Sequence, residues 1–159
     1  MKQLIILSSF VWLTSCKKES KFENYPLKAT MMTSSGKTIE ATFLDSEVNF
    51  SKSDGTQGKQ IILAGGKYGE YSLTLVIVKP EVGTFDLSNK PGWIGSSCNA
   101  AVPYTFPIGN LYNTWGIGSG YIRIELLTDS TIKGSFNAVC IRSNDTLRIT
   151  NGTFSGPIY

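Results

Sequence analysis

Along most of this chain apolar and polar residues alternate one for one, the period of a half-buried strand. In SGYIRIELL (119–127) Ile122, Ile124 and Leu126 share one face, and Tyr121, Arg123 and Glu125 share the other. In TIKGSFNAVCI (131–141) the even positions Ile132, Gly134, Phe136, Ala138 and Cys140 form the apolar face. In DTLRI (145–149) Leu147 and Ile149 do so. The connections between these segments agree with one buried side. A three-residue turn, Thr128-Asp129-Ser130, sets Leu126 opposite Ile132, Ile124 opposite Gly134 and Ile122 opposite Phe136. A turn at Ser143-Asn144 sets Cys140 opposite Leu147 and Ala138 opposite Ile149. A strand's faces swap with each one-residue slip, so two turns that preserve one apolar face predict a three-stranded antiparallel meander. In NGTFSGPIY (151–159) the Asn-Gly pair is either a tight hairpin turn or a bulge that moves the inward set from Ile149 to Phe154. The bulge, with one long final strand, is the favoured reading.

Upstream, KTIEATF (37–43), EVNF (47–50), KQIILAG (59–65), EYSLTLVIV (70–78) and GTFDL (83–87) read as further strands. The 70–78 segment is apolar on both faces towards its end, which predicts a central position. SDGTQGK (53–59) and AGGKYG (64–69) read as turns from their Gly and Asp content. The longest irregular piece runs from about 88 to 118. No stretch longer than ten residues has a convincing helical period. The expectation is an all-β domain: a single antiparallel β-sandwich or flattened β-barrel, with a C-terminal meander of long strands.

The chain opens differently. Met1-Lys2 precedes an apolar run to Ser15, too short to span a bilayer core, which needs about 20 apolar residues. One positive charge, a short apolar run and small residues form the layout of a secretory signal peptide. Its end, Leu13-Thr14-Ser15-Cys16, resembles the bacterial lipobox. That resemblance implies a diacylglycerol on the Cys16 sulfur, cleavage before Cys16 and acylation of the new amino group. Several chains hold a protein durably where one holds only marginally. Residues 16–24, polar and carrying both charges, read as a flexible tether. Residues 1–15 are then the signal, 16–24 the lipidated tether and 25–159 the folded domain. Bacterial outer-membrane attachment is the expectation, with the periplasmic or surface face left open.

Net charge is +3, with the charges scattered and no basic stripe, which argues against a nucleic-acid partner. The chain has no histidine, which removes Ser-His-Asp and Cys-His catalysis and imidazole metal sites. No metal site, cofactor or catalytic residue is expected. Of three cysteines, an acylated Cys16 leaves Cys98 and Cys140 as a pair in an oxidising compartment. A disulfide between them would close about 43 residues and stabilise by about 4 kcal/mol on the chain-entropy relation. The alternative is two unpaired thiols, one buried in a strand.

Gly-[Ser/Thr]-Phe occurs three times, at 83–85, 134–136 and 152–154. Glycine there permits a bulge or a close approach, and the Phe enters the core. The order of the pieces is a lipobox, a Gly36-Lys37 strand entry, GTFDL, the Tyr-bearing Pro103-Tyr104-Thr105-Phe106, "GYIRIELL…IKGSFNA" and "LRITNGTFSGPIY". It resembles a family of small Bacteroidota-type lipoproteins described only as a domain of unknown function. The resemblance spans most of 36–159 and implies an all-β lipoprotein without supplying an activity. Such bacteria also O-glycosylate secreted proteins at Asp-[Ser/Thr] sites. Asp129-Ser130-Thr131 and Asp145-Thr146-Leu147 resemble these, which makes Ser130 and Thr146 candidates. Asp-Ser and Asp-Thr are also ordinary turn residues.

Three function classes remain. A binding or accessory module would use exposed aromatics, with Trp93, Tyr104, Tyr112 and Trp115 as candidates for a glycan or an envelope protein partner. The competing reading is that these rings cap the core. A lipocalin-like carrier would hold a small apolar ligand in a barrel mouth. A glycan-active enzyme would need two carboxylates facing one site, and Glu70, Glu81, Asp86, Glu125 and Asp129 show no convergent spacing. A lipid-anchored binding module is the favoured expectation, and an enzyme is not.

Overall fold

The computed structural model describes residues 25–55, 58–87, 95–103, 111–114 and 118–159. Its eleven strands are β1 (Leu27–Thr33), β2 (Thr38–Phe43), β3 (Val48–Gly55), β4 (Gly58–Lys67), β5 (Tyr71–Val78), β6 (Gly83–Asp86), β7 (Ser97–Ala101), β8 (Leu111–Asn113), β9 (Ser119–Leu127), β10 (Thr131–Arg142) and β11 (Asp145–Pro157). They form one antiparallel sheet in the order β2-β1-β11-β10-β8-β7-β5-β4-β3, with β9 on β10 and β6 on β9. Strand β10 is the fork. Its residues 132–139 pair with β9, while Ile141 pairs with Asn113 of β8. The sheet therefore curls into a half-barrel, as the all-β reading expects.

The interior is filled by side chains from every part of the curl. Phe43, Leu63, Leu75, Ile122, Phe136 and Phe154 are all buried in one cluster. Tyr71 closes the gap beside β2 without a strand ladder. Its hydroxyl donates to the Thr42 carbonyl at 3.2 Å, and the Thr42 N–H donates back at 3.3 Å. On the other side, Tyr159 exchanges backbone hydrogen bonds with Phe50 and Lys52, at 2.9 and 2.8 Å. These contacts occupy part of the outer edge of β2, at Thr42, and of β3, at Phe50 and Lys52.

The C-terminal meander forms as its alternation predicts. Ile124 faces Gly134, Ile122 faces Phe136, Cys140 faces Leu147 and Ala138 faces Ile149. One pairing differs. An irregularity at Glu125 sets Leu127 opposite Ile132 and Leu126 opposite Lys133, so Leu126 is 45% exposed. Asn151-Gly152 is the expected bulge within one long strand. Asn151 sits at φ 52°, and Ile149, Gly152 and Phe154 all point inward. Asparagine tolerates this left-handed conformation better than most residues.

The repeated Gly-[Ser/Thr]-Phe motif has a physical meaning in two of its three copies. In the β10–β11 register Gly134 faces Phe154 and Phe136 faces Gly152. A Cβ added to either glycine would lie 2.5 Å from the opposing ring. Each ring thus fills the space the opposite glycine leaves, and the two rings lie 6.3 Å apart. The third copy is looser: Phe85 of β6 is only partly buried against the core.

Two expected turns and three strands depart from the sequence reading. The expected turn 64–69 is mostly strand, because β4 runs on to Lys67 and only 68–70 turn. Gly65 is there for closeness: a Cβ would meet the Phe43 ring at 2.8 Å. The expected turn 53–59 is similarly shortened, with β3 running to Gly55 and β4 starting at Gly58. Strands β1, β7 and β8 were not anticipated. The last two lie inside the stretch read as irregular.

Candidate functional site

Alternation that buries the even residues of β10 must turn the odd ones outward. Ser135 and Asn137 therefore face the outside of the sheet, next to Tyr121 of β9. On β1, paired to the far side of β11, Lys28 and Thr30 do the same. Between them, β11 carries its extra residue opposite Ala29 on one side and Asn137 on the other. A bulge bends its strand and increases local twist. Here it lies in a cleft of about 500 Å³ on the outer face. Small residues, Ala29, Ala41 and Gly152, form part of its lining.

The side chains around this cleft are mainly neutral hydroxyls and amides: Thr30, Thr42, Ser135, Asn137, Asn151 and Thr153. The Asn137 amide donates to the Tyr121 hydroxyl at 2.9 Å. This fixes one edge of a ring that is 40% exposed. Across the cleft, the Thr30 hydroxyl donates to the Glu40 carboxylate at 3.0 Å. None of these residues was singled out as a binding candidate from sequence. The available signal was Tyr121, a large aromatic on the polar face of a strand with one clear apolar face.

The aromatic candidates fare differently. Trp93, Tyr104 and Trp115 lie outside the described residues, as does Cys16. Tyr112 is a correction: it is only 3% exposed, so its ring cannot stack on a ligand. It belongs to the core, as the capping alternative holds. Its hydroxyl donates to Asp145, which also accepts from the Ser34 hydroxyl and lies 3.4 Å from Arg142. The Arg142 guanidinium stands 4.7 Å over the Tyr112 ring. The Ser34 hydroxyl first, then that of Tyr112, hold the Asp145 carboxyl below its ordinary range. Burial, then the Asp145 contact, push the Tyr112 hydroxyl up. This network ties the β1–β2 turn, β8 and the β10–β11 turn together.

Cys98 of β7 and Cys140 of β10 are buried neighbours and carry free thiols in this structure. The Cys140 thiol donates to the Cys98 carbonyl at 3.6 Å. Contact with Cys140, and then burial, raise the Cys98 thiol well above its ordinary value. Ser130 is exposed on the β9–β10 turn, whereas Thr146 is half-buried in β11 and its N–H is bound by Asp145. A second cleft, of about 790 Å³, opens at one end of the half-barrel between Lys52, Lys59, Pro80 and Leu127. Among the described residues no group of three or more His, Cys, Asp or Glu is placed to hold a metal.

A family model described as "Domain of unknown function (DUF6252)" matches residues 51–156. The chain belongs to this family. No curated protein and no solved structure matches the chain. The DUF6252 match begins within β3 and ends within β11. It thus includes Tyr121, Ser135, Asn137, Asn151 and Thr153 of the outer cleft. It leaves out residues 1–50, and with them β1 and β2, which supply Thr30 and Glu40.

Proposed function

We propose that the protein is a lipid-anchored binding module of the bacterial outer membrane and that the outer cleft beside Tyr121 is its binding surface. The observation that carries this reading is the cleft itself: hydrogen-bonding side chains from four neighbouring strands line an outer cleft that ends at one exposed aromatic ring, Tyr121 of β9. The anchor is supported by the Leu13-Thr14-Ser15-Cys16 motif behind its apolar run. A tether of nine steps from Cys16 to Tyr25 would hold the domain within about 30 Å of the bilayer, at about 3.3–3.6 Å per residue. The carrier reading is weaker, because buried aromatic and aliphatic side chains fill the space an apolar ligand would need. An enzyme is weaker still, since the chain has no histidine and Glu40 is the one carboxylate among the described residues lining the cleft, without the second carboxylate a glycan-cleaving site needs.

The compartment has consequences for two other groups. In an oxidising envelope the neighbouring thiols of Cys98 and Cys140 would be joined as a disulfide, losing two protons and two electrons to the disulfide of an envelope thiol oxidase. Burial disfavours thiolate formation, so the bridge would form during folding. Of the two O-glycosylation candidates, exposed Ser130 is the more accessible.

The test is crosslinking and pull-down of the lipidated protein from its own membranes, with a Cys16→Ala control. The expected results are membrane fractionation that depends on Cys16, and a stoichiometric glycan or protein whose capture is lost in Tyr121→Ala. A partner retained in full by Tyr121→Ala would move the binding surface elsewhere. Intact mass without reductant reads the bridge as the loss of two hydrogens, and reads any glycan on Ser130.

A further inference from the structure

We infer, resting on the binding reading above, that the outer cleft takes a neutral, hydroxyl-rich glycan, with Tyr121 as the stacking platform. The cleft's chemistry separates this class from others. A protein partner is normally anchored by buried aromatic or aliphatic side chains at the centre of its contact. Here, among the described residues, the lining apart from Tyr121 offers no large exposed apolar side chain: it is mostly hydroxyls, amides and small residues, with one lysine, one glutamate and the buried Phe136. An anionic ligand would need an excess of positive charge, but this lining carries one lysine, Lys28, and one glutamate, Glu40, and so no net charge. Sugars match what remains. Their hydroxyls both donate and accept, as do Asn and Thr side chains, and their C–H faces pack on an aromatic ring.

The positions of the groups support the same class. Tyr121 and Asn137 are direct cross-strand partners, so the amide stands beside the ring. Accepting from Asn137 leaves the phenol its own hydrogen to donate, and leaves the Asn137 carbonyl oxygen as an acceptor. Asn151, turned outward by the bulge, adds a second amide on the next strand. Across the cleft Glu40 keeps one oxygen that Thr30 does not use in their hydrogen bond. A sugar ring stacked on Tyr121 would thus find the Tyr121 hydroxyl and the Asn137 amide beside it, and further units of a chain crossing β10, β11 and β1 would meet Asn151, Thr30 and Glu40.

The experiment uses the full lipidated chain in detergent against immobilised oligosaccharides. The probes are neutral hexamers of mannose, glucose and N-acetylglucosamine, with polygalacturonate and hyaluronan fragments as acidic ones. The expected result is binding to a neutral probe, weakened about tenfold or more by Tyr121→Ala, the loss typical of a central aromatic anchor. Tyr121→Trp should retain binding and Asn137→Ala should weaken it less than Tyr121→Ala. Far-ultraviolet circular dichroism of each variant checks that the fold is kept. Preference for the acidic probes, or neutral binding unchanged by Tyr121→Ala, overturns the inference. Capture of an envelope protein that Tyr121→Ala abolishes, with no probe bound, overturns the glycan class and leaves the binding module standing. If neither a probe nor a partner is captured, both fall.

Discussion

The meander β9–β11 and the short strands β7 and β8 lie in one sheet, but different forces specify them. The meander has long strands, turns of two and three residues and partners adjacent in sequence. Its register follows from local alternation, since any slip would expose Ile122, Phe136 or Leu147. Strands β7 and β8 have five and three residues, and no periodicity of such length is informative. They are fixed by what surrounds them. Thr114 accepts from the Cys98 N–H at 3.2 Å and donates its own N–H to the Cys98 carbonyl at 3.0 Å. Ser96 accepts from the Val78 N–H at 3.2 Å. The lesson is that side-chain hydrogen bonds here do the work that strand length does in the meander.

The largest effect should come from breaking the meander's ring-on-glycine pairing. Phe136→Ala should destabilise by about 3–5 kcal/mol in denaturant unfolding, as large-to-small aromatic changes in cores do. Gly152→Ala alone should cost about 1–3 kcal/mol through overpacking. In the Phe136→Ala background the same Gly152→Ala change should cost almost nothing, because the ring it meets is gone. Additive costs would mean that the pairing is not what specifies the hairpin.

The β7–β8 region should respond to loss of one hydroxyl. Thr114→Val keeps the shape and leaves the buried Cys98 N–H without its acceptor. The expected loss is about 1–3 kcal/mol. A smaller loss than from an exposed threonine such as Thr150 would show that packing alone holds the region.

A smaller change tests the bulge. Asn151→Ala places an ordinary residue at φ 52° and should cost about 1 kcal/mol, whereas Asn151→Gly should be close to neutral. If alanine costs nothing in a thermal melt, the bulge relaxes at will and does not fix the outer cleft.

The smallest effect is the pH dependence of the Asp145 network. Its carboxyl is held below the ordinary range in the folded protein, chiefly by Ser34 and Tyr112. Its contribution is therefore fully present above the unfolded-state value, about 3.9, and is lost as pH falls through the folded value. Asp145→Asn should be slightly less stable than the native chain at neutral pH, and the two melting curves should converge in acid. A gap that stays constant or widens below pH 4 would mean that the charge is not what matters there.

The outer cleft was half-legible in the sequence. Tyr121, Asn137 and Thr153 could be assigned to outward faces from alternation alone, and the Asn151-Gly152 bulge was anticipated. Their convergence was not, because Lys28, Thr30 and Glu40 come from β1 and β2, more than 80 residues away along the chain. β1 carries Ala29, Met31 and an outward Met32, so its polar face is blurred. Tyr112 misled for the opposite reason. An aromatic in a Gly- and Asn-rich stretch looks exposed, yet β8 lies between β7 and β10 and turns the ring inward against Asp145 and Arg142.

The sequence by itself determined the fold class, the meander's register up to Ile124 and Gly134, and the inward positions of the paired rings, and it favoured the bulge over a hairpin turn. These depend on neighbours in the chain, where a period of two and short turns leave few alternatives. Only the tertiary structure decided the fork at β10, the placing of β7 and β8, the meeting of Cys98 with Cys140 and the alignment of five strands along the outer cleft. Those depend on how a branched sheet curls to bury its apolar face, which no local pattern encodes.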